Sequence, residues 1–410
     1  MNKLEYIKAH NLKEISLVVA SVLEDDKIGI NYQALNTGSF LVLSKDEFFN
    51  KFDCIYPKEH YWDIKEYDYA YKTDNPFYEL GFISCSVILD NLALNTRYYY
   101  KICSNNYESE TRTFLTNQKA DNFSFYSYVD FQHGNNDVTH KLIKNLKEIK
   151  KCDLMLCSGD LSGTSAKHSE WTWLFDESDA FDDVLFSSAV GDHEYWAKYE
   201  VHASEFKDPI PYMNIMINPN NGPDNLKNRV YYYLYNNVLF VFLDTQDSDT
   251  VENDNIEAQI NWFKEIVSAN KGKYDYLCVY MHKSIYGSIE NDTRVRRMMR
   301  LKFYPLFDSC NVDIVFSGHD HRYSRSYPLK NDKVDENGTV YLDLGSSGNK
   351  RRSYEEEVDK DGLHAKVVKV KEDELAIGAI VDVNSKNMTI NIYDQYKNKV
   401  DYLFINKKKR

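Results

Sequence analysis

At 410 residues the chain is long enough for two domains, each with its own core. Hydrophobic residues make up 43% and charged residues 28%, an ordinary globular balance, and no apolar run approaches a membrane span. The formal charge of −13 argues against a protein that coats duplex nucleic acid, but leaves small phosphate substrates open, because bound metals can invert a local field.

The opening MNKLEYIKAHNLKE has neither an apolar run nor a small-residue cleavage site of the secretory kind. Seven cysteines occur, an odd count with no CxxC pair, and several lie in apolar strand-like runs. Both features favour a reducing, cytoplasmic setting. The alternative is an exported protein without its signal, in which Cys85 and Cys103 could be neighbours on adjacent strands.

The first part reads as all-β. ISLVVASVL, GINYQAL, SFLVLS, GFISCSVILDNL, TRYYYKICS and TRTFLTN are short runs rich in Val, Ile, Tyr, Phe and Thr, separated by Asn, Asp, Gly and Ser. Strands of this length suggest a β-sandwich over residues 1–118, of fibronectin rather than immunoglobulin type because no Cys…Trp…Cys signature is present. The polar, aromatic segment from Glu47 to Pro76 reads as a long loop or edge excursion. A linker falls at NQKADN, and the second domain spans 119–410.

There, strands alternate with helical stretches, the mark of a layered α/β sandwich. THKLIKNLKEIKKC has helical apolar spacing at Leu142, Ile143, Leu146 and Ile149. IEAQINWFKEIVSAN reads as an amphipathic helix ending near Gly272. RVRRMMRLKFYPLF reads as a third helix, with Pro305 close to its end. VYYYLYNNVLFVFLDTQD reads as a hairpin turning at Asn236-Asn237. GTVYLDLGSSG, ELAIGAIVDV, MTINIYDQ and DYLFINKK read as closing strands.

Five short segments carry the chemistry: VDFQ, SGDLSG, VGDHE, YMHK and SGHDHRYSR. Each follows an apolar strand-like run, so ligand-type residues recur at strand C-termini, where open α/β sheets place their sites. Asp130, Asp160 and Asp192 are hard oxygen ligands, and Gly159 lets the backbone turn before Asp160. His282 and His319 are imidazoles suited to Zn, Fe or Mn. His321 points away from His319 if the segment is extended, or to a second metal across a turn. Several carboxylates aimed at one point repel unless cations lie between them. A metal pair about 3.5–4 Å apart can hold a phosphate and acidify a water, so two divalent ions are expected. A His beside such a pair suits general acid work, which makes His193 the catalytic candidate, with a supporting, orienting role as its alternative. Arg322 and Arg325 directly follow GHDH and are candidate substrate-binding residues. Arg294, Arg296 and Arg297 could approach the site or form a solvated helix face. Glu194 reads as a support for His193 or a cap, and Trp171, Trp173 and Trp196 as packing residues.

In this order the motifs resemble those of the calcineurin-like metallophosphoesterases, and within them the purple acid phosphatase family. Asp130 matches the opening aspartate, Gly159-Asp160 the GD, Gly191-Asp192-His193-Glu194 the GNHE, His282 the lone histidine and Gly318-His319-Asp320-His321 the GHxH. The resemblance implies a β-sandwich followed by two mixed sheets flanked by helices in four layers. It implies one metal on Asp130, Asp160 and His321 and another on Asp160, Asp192, His282 and His319, with Asp160 bridging. It also implies a metal-activated hydroxide and His193 as proton donor or transition-state partner.

The chain departs from that family in places. Gly163 stands where the purple enzymes carry an iron-binding tyrosine, so a ferric tyrosinate is not expected, and Zn, Mn or ferrous iron becomes more plausible. Gln132 stands where many relatives have a histidine ligand, with His133 one residue later, so either could complete the first metal site. Asp192 replaces a neutral amide, which adds negative charge and points to a pH optimum nearer neutral than acidic. The expected function is hydrolysis of phosphoric esters, a small phosphomonoester first, with a phosphodiesterase or nucleotide hydrolase as alternative. A degenerate, non-catalytic binding protein is the reading from a different class.

Overall fold

The computed structural model describes residues 13–61, 83–104, 107–120, 122–132, 137–165, 167–196, 208–246, 254–287, 293–350, 363–367 and 376–409. Contacts group the chain into two units. The first joins Met1–Gln118 with Thr164–Phe186 and Tyr195–Asn218; the second joins Lys119–Gly163, Ser187–Glu194 and Pro219–Arg410.

The first unit is an antiparallel β-sandwich. One sheet runs Ile15–Glu24, Lys27–Ala34, Ile83–Leu89, Lys58–Tyr61. The other runs Asp53–Ile55, Phe40–Ser44, Arg97–Ser104, Tyr107–Glu108, with Arg112–Leu115 also on Arg97–Ser104. The excursion expected after Glu47 thus supplies an edge strand to each sheet, and its part from residue 62 lies outside the described residues. Ile15–Leu23 is buried on both faces, unlike a half-solvated sandwich strand. The reason is the helix His168–Asp176, which lays Trp171, Leu174 and Phe175 inside this unit. At a bulge in the first strand Leu17 takes φ +52, and its N–H leaves the ladder for Asp176 Oδ1 at 2.9 Å. His168 Nε2 lies 2.7 Å from Gln33 Oε1. The helix Ile210–Ile215 is tied to the same sheet by Asn31, whose amide donates to Ile215 O at 3.0 Å.

All seven cysteines are free thiols. Cys85 and Cys103 are not neighbours on adjacent strands: they belong to the two different sheets of the sandwich.

The second unit contains two mixed sheets. Among the described residues one runs Leu185–Ser188, Leu154–Cys157, Phe123–Tyr128, Ile377–Val383, Asn387–Asp394, Lys399–Asn406. The other runs Tyr231–Tyr235, Val238–Phe242, Tyr276–Lys283, Ile314–Gly318, Val340–Leu344, Tyr323–Ser326, His364–Val367. Their facing sides meet through aromatic rings: Phe125 packs edge-on to Phe240 at 5.2 Å, and Tyr280 donates to Ser127 Oγ at 3.1 Å. On the outer sides lie the helices. Val138–Ile149 packs against Ile377–Val383 through Leu142, Ile143 and Leu146. Asp254–Ala269 and Thr293–Ser309 share a core with Leu277, Val279 and Met281. The four layers expected from the motifs are therefore present. No described helix is long and apolar enough to cross a membrane.

This layering aims the site residues. Val238–Phe242, Tyr276–Lys283, Ile314–Gly318 and Val340–Leu344 run parallel, so their C-terminal ends emerge together. Along Tyr276–Lys283 the side chains alternate: Leu277, Val279 and Met281 meet the helices, so His282 falls on the opposite face, with Tyr280.

Candidate metal centre

Each candidate ligand sits at or just past a strand end, where the ladder stops and the backbone can turn. Asp130 follows Phe123–Tyr128, Asp160 follows Leu154–Cys157, Asp192 follows Leu185–Ser188, and His319 and His321 follow Ile314–Gly318. Four of these residues occupy the left-handed region: Asp130 at φ +51, Asp160 at +55, His319 at +72 and His321 at +56. Asp and His tolerate that region better than bulkier residues, yet each costs on the order of 1 kcal/mol. Such concentrated strain persists only where the surroundings enforce it. It also answers the question left by the spacing of His319 and His321. The chain is not extended there, and the two imidazoles reach different partners.

The side chains converge into two ligand trios. In one, Asp130, Asp160 and His321 place donor atoms within 4.8 Å of one another; in the other, Asp192, His282 and His319 do so. A third trio, Asp160, Asp192 and His193, overlaps both. Asp160 links the two main groups, since its Oδ2 lies 3.2 Å from His282 Nε2, which is itself 2.9 Å from Asp192 Oδ1. His319 Nδ1 lies 3.0 Å from that same Asp192 oxygen, and His321 Nε2 lies 3.3 Å from Asp130 Oδ1.

The donor set fits a cation. His282 Nδ1 donates to Ser158 O at 3.1 Å, which turns the Nε2 lone pair toward two carboxylates. His282 Nε2 is fully buried and makes no hydrogen bond. A lone pair facing carboxylate oxygens is stable only with a proton or a metal ion between them. His321 shows the same logic: Nδ1 donates to Lys350 O at 2.7 Å and Nε2 faces the carboxylates.

Backbone amides lock the acids. Glu194 accepts from the N–H groups of Asp160, Leu161, Ser162 and Gly191 at 2.8–3.3 Å, clamping the GD turn to the GDHE turn. Gly191 is required because a Cβ there would lie 2.0 Å from Asp160 Oδ1. Asp130 Oδ2 accepts from His319 N at 3.0 Å, and Asp160 Oδ1 from His193 N at 3.0 Å.

Without bound cations the titrations follow from this crowding. Burial pushes Asp130 up to about 7. Asp160 and Asp192 are held below the usual carboxylate range: burial opposes this, but the adjacent imidazoles prevail. Burial lowers His193.

The other sequence candidates divide. His193 is 1% exposed and donates from Nδ1 to Gly163 O at 2.6 Å, so the residue at the tyrosine position orients this imidazole through its carbonyl. Its Nε2 lies 3.7 Å from Asp160 Oδ2. Gln132 enters the first trio: its Nε2 lies 3.1 Å from Asp130 Oδ1, 2.6 Å from Asp160 Oδ2 and 3.4 Å from His321 Nε2. His133 lies outside the described residues. Arg322 is buried, with Nε lacking a hydrogen-bond partner. Arg325 is bound to Asp401, Nε to Oδ2 at 2.9 Å, so its guanidinium is already engaged. Arg296 pairs with Asp320, the residue between the two GHDH histidines. The motif reading missed Lys350, whose Nζ lies 3.3 Å from both Gln132 Oε1 and His193 Nε2. The run of small residues in GSSGNK was the available signal, since it marks a close backbone approach.

Residues 130–323 match the family model described as Calcineurin-like phosphoesterase. Purple acid phosphatase 1 of Ipomoea batatas is 27% identical over 203 residues, covering 47% of this chain and 38% of that protein. Phosphoenolpyruvate phosphatase of Allium cepa is 25% identical over 293 residues, covering 66% of this chain and 58% of that protein. The chain thus spans less than two thirds of the length of these relatives. A purple acid phosphatase structure from yellow lupin (Lupinus luteus) seeds superposes with a TM-score of 0.74 at 15% identity, over 96% of this chain and 74% of that one, which shows a shared fold. Residues 130–323 thus carry, at the strand ends described above, the motif order of a calcineurin-like phosphoesterase segment. The chain is similar in sequence and fold to purple acid phosphatases, and it carries an N-terminal β-sandwich.

Proposed function

We propose that this chain is a metal-dependent phosphoric ester hydrolase acting first on a small phosphomonoester. The observation that carries the reading is the pair of ligand trios joined through Asp160, with the buried His282 Nε2 aimed between two carboxylates. Asp130, Asp160 and His321 would hold one divalent ion, and Asp192, His282 and His319, with Asp160 beside them, would hold the other. Zn, Mn or Fe suits these N and O donors, and Gly163 offers no phenolate for a ferric tyrosinate. Such ions, when bound, supply Lewis acidity and lower the pKa of water.

The residues around them do the rest. Asp160 bridges the two ligand groups. Gln132 supports the first group by its amide. His193, its Nδ1 held by Gly163 O, is placed to serve the leaving oxygen as proton donor once Nε2 carries a proton. Arg322 takes a phosphate oxygen. With Asp192 in place of a neutral amide, the pH–rate profile peaks near neutrality. In sequence terms, residues 1–118 form the sandwich domain and 119–410 the hydrolase domain.

The decisive experiment combines elemental analysis with chelation and add-back of Zn or Mn, comparing 4-nitrophenyl phosphate with bis(4-nitrophenyl) phosphate. About two ions per chain, loss of turnover on chelation and recovery on add-back, with the monoester favoured, is the expected result. Diester preference transfers the reading to a phosphodiesterase. Less than one ion per chain, with no metal-stimulated turnover, leaves a binding module.

A further inference from the structure

We infer that Lys350 binds a non-bridging oxygen of the substrate phosphoryl group and thereby selects dianionic monoesters over monoanionic diesters. This rests on the phosphoesterase reading above and deepens it.

The loop that leads into Lys350 is tied to the Asp130 strand through residues 346–348. Ser347 N donates to Val129 O at 2.8 Å, and Ser346 Oγ donates to Asp130 O at 3.2 Å. A Cβ at Gly348 would lie 2.6–2.9 Å from the carbonyl oxygens of Phe131, Asp130 and Gln132, so this loop is pressed onto the end of the Asp130 strand. The Lys350 carbonyl is itself the acceptor that orients His321. From this anchored backbone the side chain reaches across the first ligand trio to Gln132 Oε1 and His193 Nε2.

Both of its contacts are to neutral acceptors. The ammonium is half-buried, and among the described residues it forms no ion pair with a carboxylate. A lysine has three donors and a full charge, and here two donors are used while no carboxylate among the described residues pairs with the charge. An anion brought beside His193 would complete the third donor and the charge together. An ammonium is a compact point charge, suited to one phosphoryl oxygen rather than to a planar carboxylate. The added positive charge favours a substrate carrying two negative charges over one carrying a single charge.

The test uses Lys350→Met and Lys350→Arg in the full chain. Readouts are metal content, binding of inorganic phosphate by calorimetry, and kcat/KM for 4-nitrophenyl phosphate and bis(4-nitrophenyl) phosphate. In Lys350→Met the metal content stays at the parent value. Phosphate affinity and the monoester-to-diester ratio each fall about tenfold or more, the size of a lost charge-assisted hydrogen bond. Lys350→Arg retains most of both. A ratio within twofold of the parent, an equal fall for both esters, or loss of metal from Lys350→Met overturns the inference while leaving the hydrolase reading intact. A parent protein that takes up no metal, binds no phosphate and turns over neither ester overturns both.

Discussion

Asp160 belongs to two ligand groups at once, so its replacement should be felt twice. Asp160→Asn keeps the size but removes the charge that balances a cation on either side. We expect metal content to fall for both positions and turnover to drop at least about 1,000-fold. Elemental analysis of the purified variant checks this, and a variant that retains two ions contradicts the bridging role. His193 makes the complementary case. Its Nδ1 is committed to Gly163 O, and Nε2 faces the ligand groups. If it works as a proton donor, His193→Gln should lower kcat by about 100- to 10,000-fold while metal content stays constant. Loss of an ion from that variant would instead make His193 a ligand, as the Asp160, Asp192, His193 trio allows.

At the level of elements, the turns and the docked helices matter most. The GD and GDHE turns approach so closely that Gly191→Ala would drive a methyl group into Asp160. We expect a loss of metal affinity together with a few kcal/mol of stability, measured by titration calorimetry and urea unfolding. A second prediction concerns the helix His168–Asp176. Burial lowers the His168 pKa to about 3, so the folded chain holds it neutral against Gln33. The unfolded chain protonates this residue below about 6.5. Its contribution is therefore fully present above pH 6.5 and is lost as pH falls toward 3, at about 1.4 kcal/mol per pH unit. Urea midpoints of parent and His168→Gln between pH 7 and pH 4 test the sign. The parent should lose stability more steeply, and parallel curves would refute the assignment.

For the whole molecule, ligand groups formed only in the folded chain couple metal binding to stability. Free metal at 100 times its dissociation constant should stabilise the protein by about 2.7 kcal/mol per site. Chelation should lower the melting temperature, and Zn or Mn should restore it. A melting temperature indifferent to both would mean that the acids and imidazoles are satisfied among themselves. The hydrolase reading would then lose its physical basis.

Much of this was legible in the residues alone. Alternating and continuous apolar runs marked the strands because burial imposes a period on the side chains. Asp130, Asp160, Asp192, His282, His319 and His321 could be grouped because each closes such a run, and parallel strands bring their ends together. Local chemistry likewise marked the Asn236-Asn237 hairpin and the three long helices. Partners far apart in sequence could not be read in this way. That 164–186 packs with the N-terminal sandwich, that Glu194 clamps two turns, that Arg325 is engaged by Asp401 and that Lys350 reaches His193 all depend on chain closure over long separations. No local period encodes such contacts; they arise when packed layers leave each buried polar group one reachable partner. The strand ends therefore determined which residues could meet, and only the tertiary structure decided which atoms face one another and with what charge between them.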